Sequence, residues 1–330
     1  MPDIGLMMLI AVVLLALTFD YINGFHDTAN AIATSVSTKA LSPRIAIVIA
    51  ALFNFAGAMS GTQVAKTIGK DIANPALVTK EVIIAALLAA IVWNLVTWWF
   101  GIPSSSSHAL IGGIVGAVAA GNGIAVLKPE GILKIVSALL VSPLLGLAMG
   151  FLFMNLLFWV VYRWSRVKVN ENSRKLQILS ACAMAFSHGS NDAQKTMGII
   201  TMALFSAGLL DTFEVPLWVM MAAATAMALG TAAGGWRIIR TMGSKIVRLE
   251  PINGLAADLA SSTVIYGASL MGMPVSTTHV VSSSIMGVGS AKRVRAVKWN
   301  MAQQIVTAWV ITIPITATVG GLTFYIIKFF

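Results

Sequence analysis

A single cysteine, Cys182, among 330 residues excludes an intramolecular disulfide and any cysteine-rich metal centre. Charge is scarce as well. Asp, Glu, Lys and Arg make 10 % of the chain against 58 % hydrophobic residues, too little polarity to cover a water-soluble domain of this length. There is no P-loop and no G-x-G-x-x-G fingerprint, so transport driven by ATP would need a partner subunit. Met1-Pro2-Asp3 offers no basic flank to the first apolar run, and a cleaved signal peptide is not expected. No low-complexity tract or appended soluble domain interrupts the pattern. The net charge of +10 lies in clusters without interleaved aromatics, which argues against nucleic-acid binding.

What the chain does have is a series of apolar runs. Ile4–Phe19, Ile45–Val64, Val82–Phe100, Leu217–Gly235 and Met301–Ile327 approach or exceed the roughly 20 residues that cross a hydrocarbon core as helix. The expected fold is an all-α polytopic membrane protein in the lipid bilayer of the plasma membrane. Lys39 and Arg44, then Arg163–Lys175, Arg237–Arg248 and Lys292–Lys298, fall between runs as cytoplasmic loops do. Each half accommodates five spans, through Ile4–Phe19, Ile45–Val64, Val82–Phe100, Ser104–Ala120 and Ile132–Val161, then Leu176–Phe205, Leu217–Gly235, Leu255–Met271, Pro274–Val288 and Met301–Ile327. Because five is odd, the second half is inverted. With the N-terminus outside, all four basic clusters become cytoplasmic and the acidic loop Leu210–Val215 lies outside. Re-entrant hairpins at Pro103 and Pro274 are the alternative, within a total of about 10–12 membrane segments. The organisation is therefore a first repeat over 1–161, a cytoplasmic linker over 162–175 and an inverted repeat over 176–330.

Two motifs occur twice. Gly101-Ile102-Pro103-Ser104-Ser105-Ser106-Ser107-His108 returns as Gly272-Met273-Pro274-Val275-Ser276-Thr277-Thr278-His279. Gly24-Phe25-His26-Asp27-Thr28-Ala29-Asn30 is matched by His188-Gly189-Ser190-Asn191-Asp192-Ala193-Gln194-Lys195, and all four histidines of the chain lie in these segments. Proline suits the first position of a helix, so Pro103 and Pro274 are expected to mark helix starts. The hydroxyls of Ser104, Ser105, Ser106 and Ser107, and of Ser276, Thr277 and Thr278, would join first-turn N–H groups there in binding an oxyanion. The competing reading has these hydroxyls bonding back to their own helix carbonyls.

Asp27 aligns with Asp192, His26 with Asn191 and Asn30 with Lys195. An Asp or Lys at the centre of a membrane helix costs about 2.5–3.5 kcal/mol on insertion scales, so such residues face a cavity or pair with one another. Small neighbours at Gly24 and Gly189 suggest broken helices whose carbonyls, with a carboxylate and an Asn oxygen, bind a small cation. A structural ion pair involving Lys195 is the competing reading. His26, beside Asp27, is the candidate for proton exchange, whereas His108 and His279 lie beyond the hydroxyls and read as structural. Asp20 reads as interfacial, and Asp258 as either a helix-start charge or cavity lining.

These residues resemble the inorganic phosphate transporter (PiT) family over essentially the full chain. Gly24-Phe25-His26-Asp27-Thr28-Ala29-Asn30-Ala31 and Gly189-Ser190-Asn191-Asp192-Ala193-Gln194-Lys195 stand where that family has its two G-A-N-D-V-A-N-A-like signatures. The resemblance implies an inverted-repeat helical carrier, a homodimer, moving phosphate inward with a cation and without a bound cofactor. Carried over, Asp27, Asn30, Asn191 and Asp192 take cation and substrate-positioning roles, and the hydroxyls Ser104 to Ser107 and Ser276 to Thr278 line the phosphate site. His26 and Lys195, each in place of an Asn, are similar to the bacterial proton-coupled branch, whose substrate is a neutral complex of phosphate with a divalent metal. Lys195 would then be a fixed positive charge beside phosphate. Sodium coupling is the alternative, and a sulfate permease of the same family follows it. Sulfate stays unprotonated at neutral pH, so retention of both aspartates favours phosphate. An intramembrane enzyme would not need its motif twice in inverted halves.

Overall fold

A computed structural model describes residues 4–329 as twelve α-helices linked by short turns, with no strand among the described residues. In the first half these are α1 (Ile4–Ser37), α2 (Pro43–Ala58), α3 (Gln63–Asp71), α4 (Lys80–Phe100), α5 (Ser106–Gly121) and α6 (Pro129–Val160). The second half repeats the series: α7 (Arg166–Ser206), α8 (Leu217–Ala233), α9 (Trp236–Arg240, continued by a π turn over Thr241–Lys245), α10 (Pro251–Leu270), α11 (Thr277–Lys292) and α12 (Trp299–Phe329). A long helix, a bent pair, a hairpin and a second long helix follow in the same order in both halves. The bends are 66° at α2–α3 and 62° at α8–α9. Of the stretch 162–175 expected as linker, the part from Arg166 onward is already the first turns of α7.

The third and fourth apolar segments of each half form a hairpin. Asn122 Nδ2 donates to the carbonyl of Leu77 at 2.8 Å, so the end of α5 returns to where α4 began. Likewise Lys292, at the end of α11, meets Glu250 at the start of α10 at 3.0 Å. That hydrogen bond from Lys292, reinforced by Arg166, holds the Glu250 carboxyl below its usual range. Both α4–α5 and α10–α11 therefore start and end on one side. The turn at each tip needs left-handed backbone, supplied by Gly101 (φ 65°) and Gly272 (φ 66°). The prolines do not open the helices, as expected from their preference for the first position. The chain stays extended past Pro103 and Pro274, and α5 and α11 begin only at Ser106 and Thr277, behind the N-caps Ser105 and Ser276.

Four helices, α1, α4, α6 and α12, are long and apolar enough to cross a membrane, or up to six segments if each bent pair counts as one span. The two halves are interlocked. The hairpin helix α5 packs along α12 and α11 along α6, while α1 lies on α8 and α7 on α2. At the last two crossings the backbones touch. A Cβ on Gly24 would strike the carbonyl oxygen of Met227, and one on Gly189 the carbonyl oxygen of Asn54. These glycines thus permit close helix contact and do not break helices: α1 and α7 run unbroken through both signatures, contrary to the expectation from their small residues.

Two faces follow. Lys80 Nζ reaches the carbonyl of Gly5 at 2.8 Å and Ser206 Oγ that of Val78 at 3.0 Å, gathering the start of α1, the α3–α4 turn and the end of α7. The opposite face holds a cleft of about 810 Å³ lined by Lys39, Arg166, Arg174, Arg248 and Lys298. Members of all four basic clusters thus share one face.

Gly189→Ala is expected to destabilise the folded protein by about 1–3 kcal/mol through overpacking against α2. Gly267→Ala, where a Cβ would meet nothing within 4 Å, is the matched control and should be neutral. Thermal unfolding in detergent distinguishes them; equal stability of the two variants would place the α2–α7 contact elsewhere.

Candidate functional site

The unbroken helices α1 and α7 cross where the two hairpin tips meet. Ser107 Oγ donates to the carbonyl of Val275 at 3.0 Å, joining one tip to the other. Beyond this point the rings of His108 and His279 lie 4.4 Å apart, and His279 stacks on Trp309 at 3.8 Å. This suits the structural role expected of those histidines.

Asp27, His188 and Asp192 each present a ligand atom within 4.8 Å of the others, all three side chains being buried. Asp27 accepts from His26 Nδ1 at 2.6 Å and from Thr278 Oγ1 at 3.3 Å. His26 Nε2 continues to Thr97 Oγ1 at 3.1 Å, and Ser104 Oγ reaches the same threonine at 2.8 Å. Asp192 is paired with Lys195, accepts from Thr277 Oγ1 at 3.0 Å and faces His188 Nε2 at 3.4 Å. Lys195 Nζ also donates to Ser107 Oγ at 2.5 Å and to the carbonyl of Val275 at 3.1 Å. Asn30 Nδ2 donates to Thr277 and Thr278 at 3.2 and 2.9 Å. Each signature aspartate is therefore bound to hydroxyls from the hairpins.

Helix starts complete the donor set. The first-turn N–H groups of α5 and α11 have no intrahelical acceptor, and both helices begin at this junction. One N–H of each is already spoken for: Ser105 Oγ caps His108 N at 3.1 Å, and Ser276 Oγ caps His279 N at 3.3 Å. These two hydroxyls therefore shape the helix ends, accepting from backbone N–H groups rather than donating to helix carbonyls. Ser106, Ser107, Thr277 and Thr278 face the aspartates, Lys195 or the opposite tip. With the Lys195 ammonium and two helix dipoles they surround a place suited to a tetrahedral oxyanion, to which these hydroxyls would donate by turning from their present acceptors.

Asn191 is engaged with the second hairpin. Its Nδ2 donates to Ser269 Oγ at 3.0 Å and to the carbonyl of Met273 at 3.2 Å, and its Oδ1 accepts from Val275 N at 3.2 Å. It ties α7 to the second hairpin tip. Asp258 lies well inside α10 and accepts from Thr34 Oγ1 at 2.6 Å and Ser180 Oγ at 3.2 Å, so it lines the interior on the basic side of the site. Asp20 is fully buried, not interfacial.

One functional feature escaped the motif-based reading. Asp20, Asn23, Asp27, Asn30, Thr34 and Thr38 recur at helical spacing on one face of α1, all buried, and Thr38 borders the basic cleft. A polar stripe at three- and four-residue spacing inside an apolar helix was the available signal.

The buried pair makes a stability test. Asp192→Asn strands the Lys195 ammonium and is expected to cost about 3–5 kcal/mol, whereas pairing it with Lys195→Met should recover most of that loss. Thermal unfolding that leaves Asp192→Asn as stable as the parent would show that the pair is not formed.

The model of the "Phosphate transporter family" matches residues 23–320. The chain is 52 % identical over 329 residues to a "Probable low-affinity inorganic phosphate transporter" of Bacillus subtilis, covering 99 % of each. It is 48 % identical to a protein of the same description from Rhizobium meliloti, covering 96 % of each. Its fold is similar to the solved structure of "The sodium-dependent phosphate transporter", with a TM-score of 0.88 and 26 % identity over 98 % of this chain and 99 % of that one. With its duplicated motifs gathered into one oxyanion-suited centre, this chain belongs to the phosphate transporter family.

Proposed function

We propose that this phosphate transporter is a symporter that brings phosphate into the cell with protons, and that phosphate binds among Lys195, Asn30 and the first turns of α5 and α11. The observation that carries the reading is the Lys195 ammonium, which is 1 % exposed and anchored between the two hairpin tips. It supplies a fixed positive charge for an oxyanion and repels a sodium ion from the place where an Asn could help coordinate one. His26, hydrogen-bonded to Asp27, is the candidate for proton exchange. The pairing of Asp27, His188 and Asp192 suits a divalent cation travelling as a neutral complex with phosphate. The excess of basic residues on one face makes that face cytoplasmic and the N-terminal face external, and the family resemblance implies a homodimer in the plasma membrane.

Sodium coupling is the second reading, favoured by the description of the structural relative. Purified protein in liposomes separates the two when labelled phosphate is supplied with and without a divalent cation, under a pH gradient and then a sodium gradient. Uptake is expected to follow the pH gradient, to collapse with a protonophore and to lose its pH dependence in His26→Asn. Uptake that requires sodium and ignores the protonophore overturns proton coupling but leaves phosphate transport standing.

Binding is a separate test. Thr277→Val and Ser106→Ala are each expected to weaken phosphate by the worth of a hydrogen bond to a charged group, about 1.5–3 kcal/mol, or roughly ten- to hundredfold in Kd. Unchanged affinity in both would move the anion away from the hairpin tips.

A further inference from the structure

Asp20 differs from the signature aspartates in having nothing to hold it. It is 0 % exposed, yet among the described residues neither carboxylate oxygen has a hydrogen-bond partner, and no ion pair includes it. Asp27 and Asp192, by contrast, are each engaged by an imidazole and hydroxyls, and Asp192 by an ammonium as well.

The surroundings of Asp20 are polar and similarly unpartnered. Asn23 follows one turn along the same face of α1, and Thr196 of α7 faces the carboxylate. Helices α1 and α4 run parallel, since Lys80 meets Gly5 near one end and Thr97 meets His26 further along. One turn back from that second contact, Asn94 comes level with Asn23. The side-chain polar atoms of Asn23, Asn94 and Thr196 are fully buried and have no partner among the described residues.

A buried ionised carboxylate that forms no ion pair is far more costly inside a membrane than the neutral acid. We infer that Asp20 holds the coupling proton during transport. The inference rests on the proton-symport reading. The charged neighbours make it conditional on substrate. From α7, both Lys195 and Asp192 are within electrostatic reach of Asp20. Helix α4 contributes only Lys80 and Glu81, both in its first turn, α8 contributes none, and on α1 the nearest are the exposed Tyr21, then His26 and Asp27. Lys195 favours the ionised Asp20 and Asp192 the protonated one. A phosphate bound at Lys195 cancels the first influence, so phosphate and proton each favour binding of the other, which is the linkage a symporter requires.

Asp20→Asn tests this in liposomes through two measurements on one preparation. Accumulation of phosphate driven by a pH gradient is expected to be lost, while exchange of labelled for unlabelled phosphate at equal pH persists and no longer varies with pH. Persistent exchange also shows that the variant is folded. Asp20→Glu should regain driven accumulation. If wild-type protein accumulates phosphate on a pH gradient and Asp20→Asn does so equally, the assignment to Asp20 is wrong while proton symport stands. Loss of exchange in a variant that unfolds at the wild-type temperature would also overturn it, by placing Asp20 in the phosphate site. A wild-type protein indifferent to the pH gradient would instead remove the symport reading itself.

Discussion

Two carboxylates whose oxygens approach within 4.8 Å inside a membrane protein repel each other strongly unless positive charge is brought to them. The crossing of α1 and α7 imposes that approach on Asp27 and Asp192, and the rest of the centre answers it. Lys195 takes one oxygen of Asp192, His26 takes Asp27, and threonines from the second hairpin tip donate to both. The glycines at positions 24 and 189 matter for the same reason. They let α8 and α2 press against α1 and α7, fixing how near the two signatures stand.

The two halves share their order of elements and several contacts, but not their charges. Equivalent contacts recur: Lys128 N to Ile72 O and Lys298 N to Ile246 O are both 3.0 Å, and Thr241 and Thr67 each cap a tip glycine carbonyl of the opposite half. Within that repeat His26 stands where the second half has Asn191, and Asn30 where it has Lys195. One half presents a titratable pair and the other a fixed cation with a hairpin tether. A duplicated scaffold can rock between two equivalent states, and asymmetric charges give each state a different affinity for anion and proton.

Much of this was legible in the sequence because duplication makes weak signals strong. A serine-rich turn means little alone, but two copies after apolar runs located both hairpin tips, and Asp27 with Asp192 located the crossing. Charge between the runs also placed the basic clusters on one face without any knowledge of helix packing. What stayed hidden was geometry that composition does not encode. Small residues at Gly24 and Gly189 suit a broken helix and a tight crossing equally, and only the partner helices decide. Pro103 and Pro274 fit either a helix start or an extended stretch ahead of one. Whether Asn191 faces an ion or a hairpin backbone depends on how α10–α11 folds back, and Asp20 looks interfacial until α4 and α7 are seen to enclose it.

The central claim is that phosphate binds where the four motifs converge. A crystal structure of the protein with arsenate, a phosphate analogue carrying an anomalous scatterer, locates the anion directly. One anomalous peak is expected within hydrogen-bond distance of Lys195 and the first turns of α5 and α11. A peak confined to the basic cleft lined by Arg166, Arg174 and Arg248, with none near Lys195, would contradict the account.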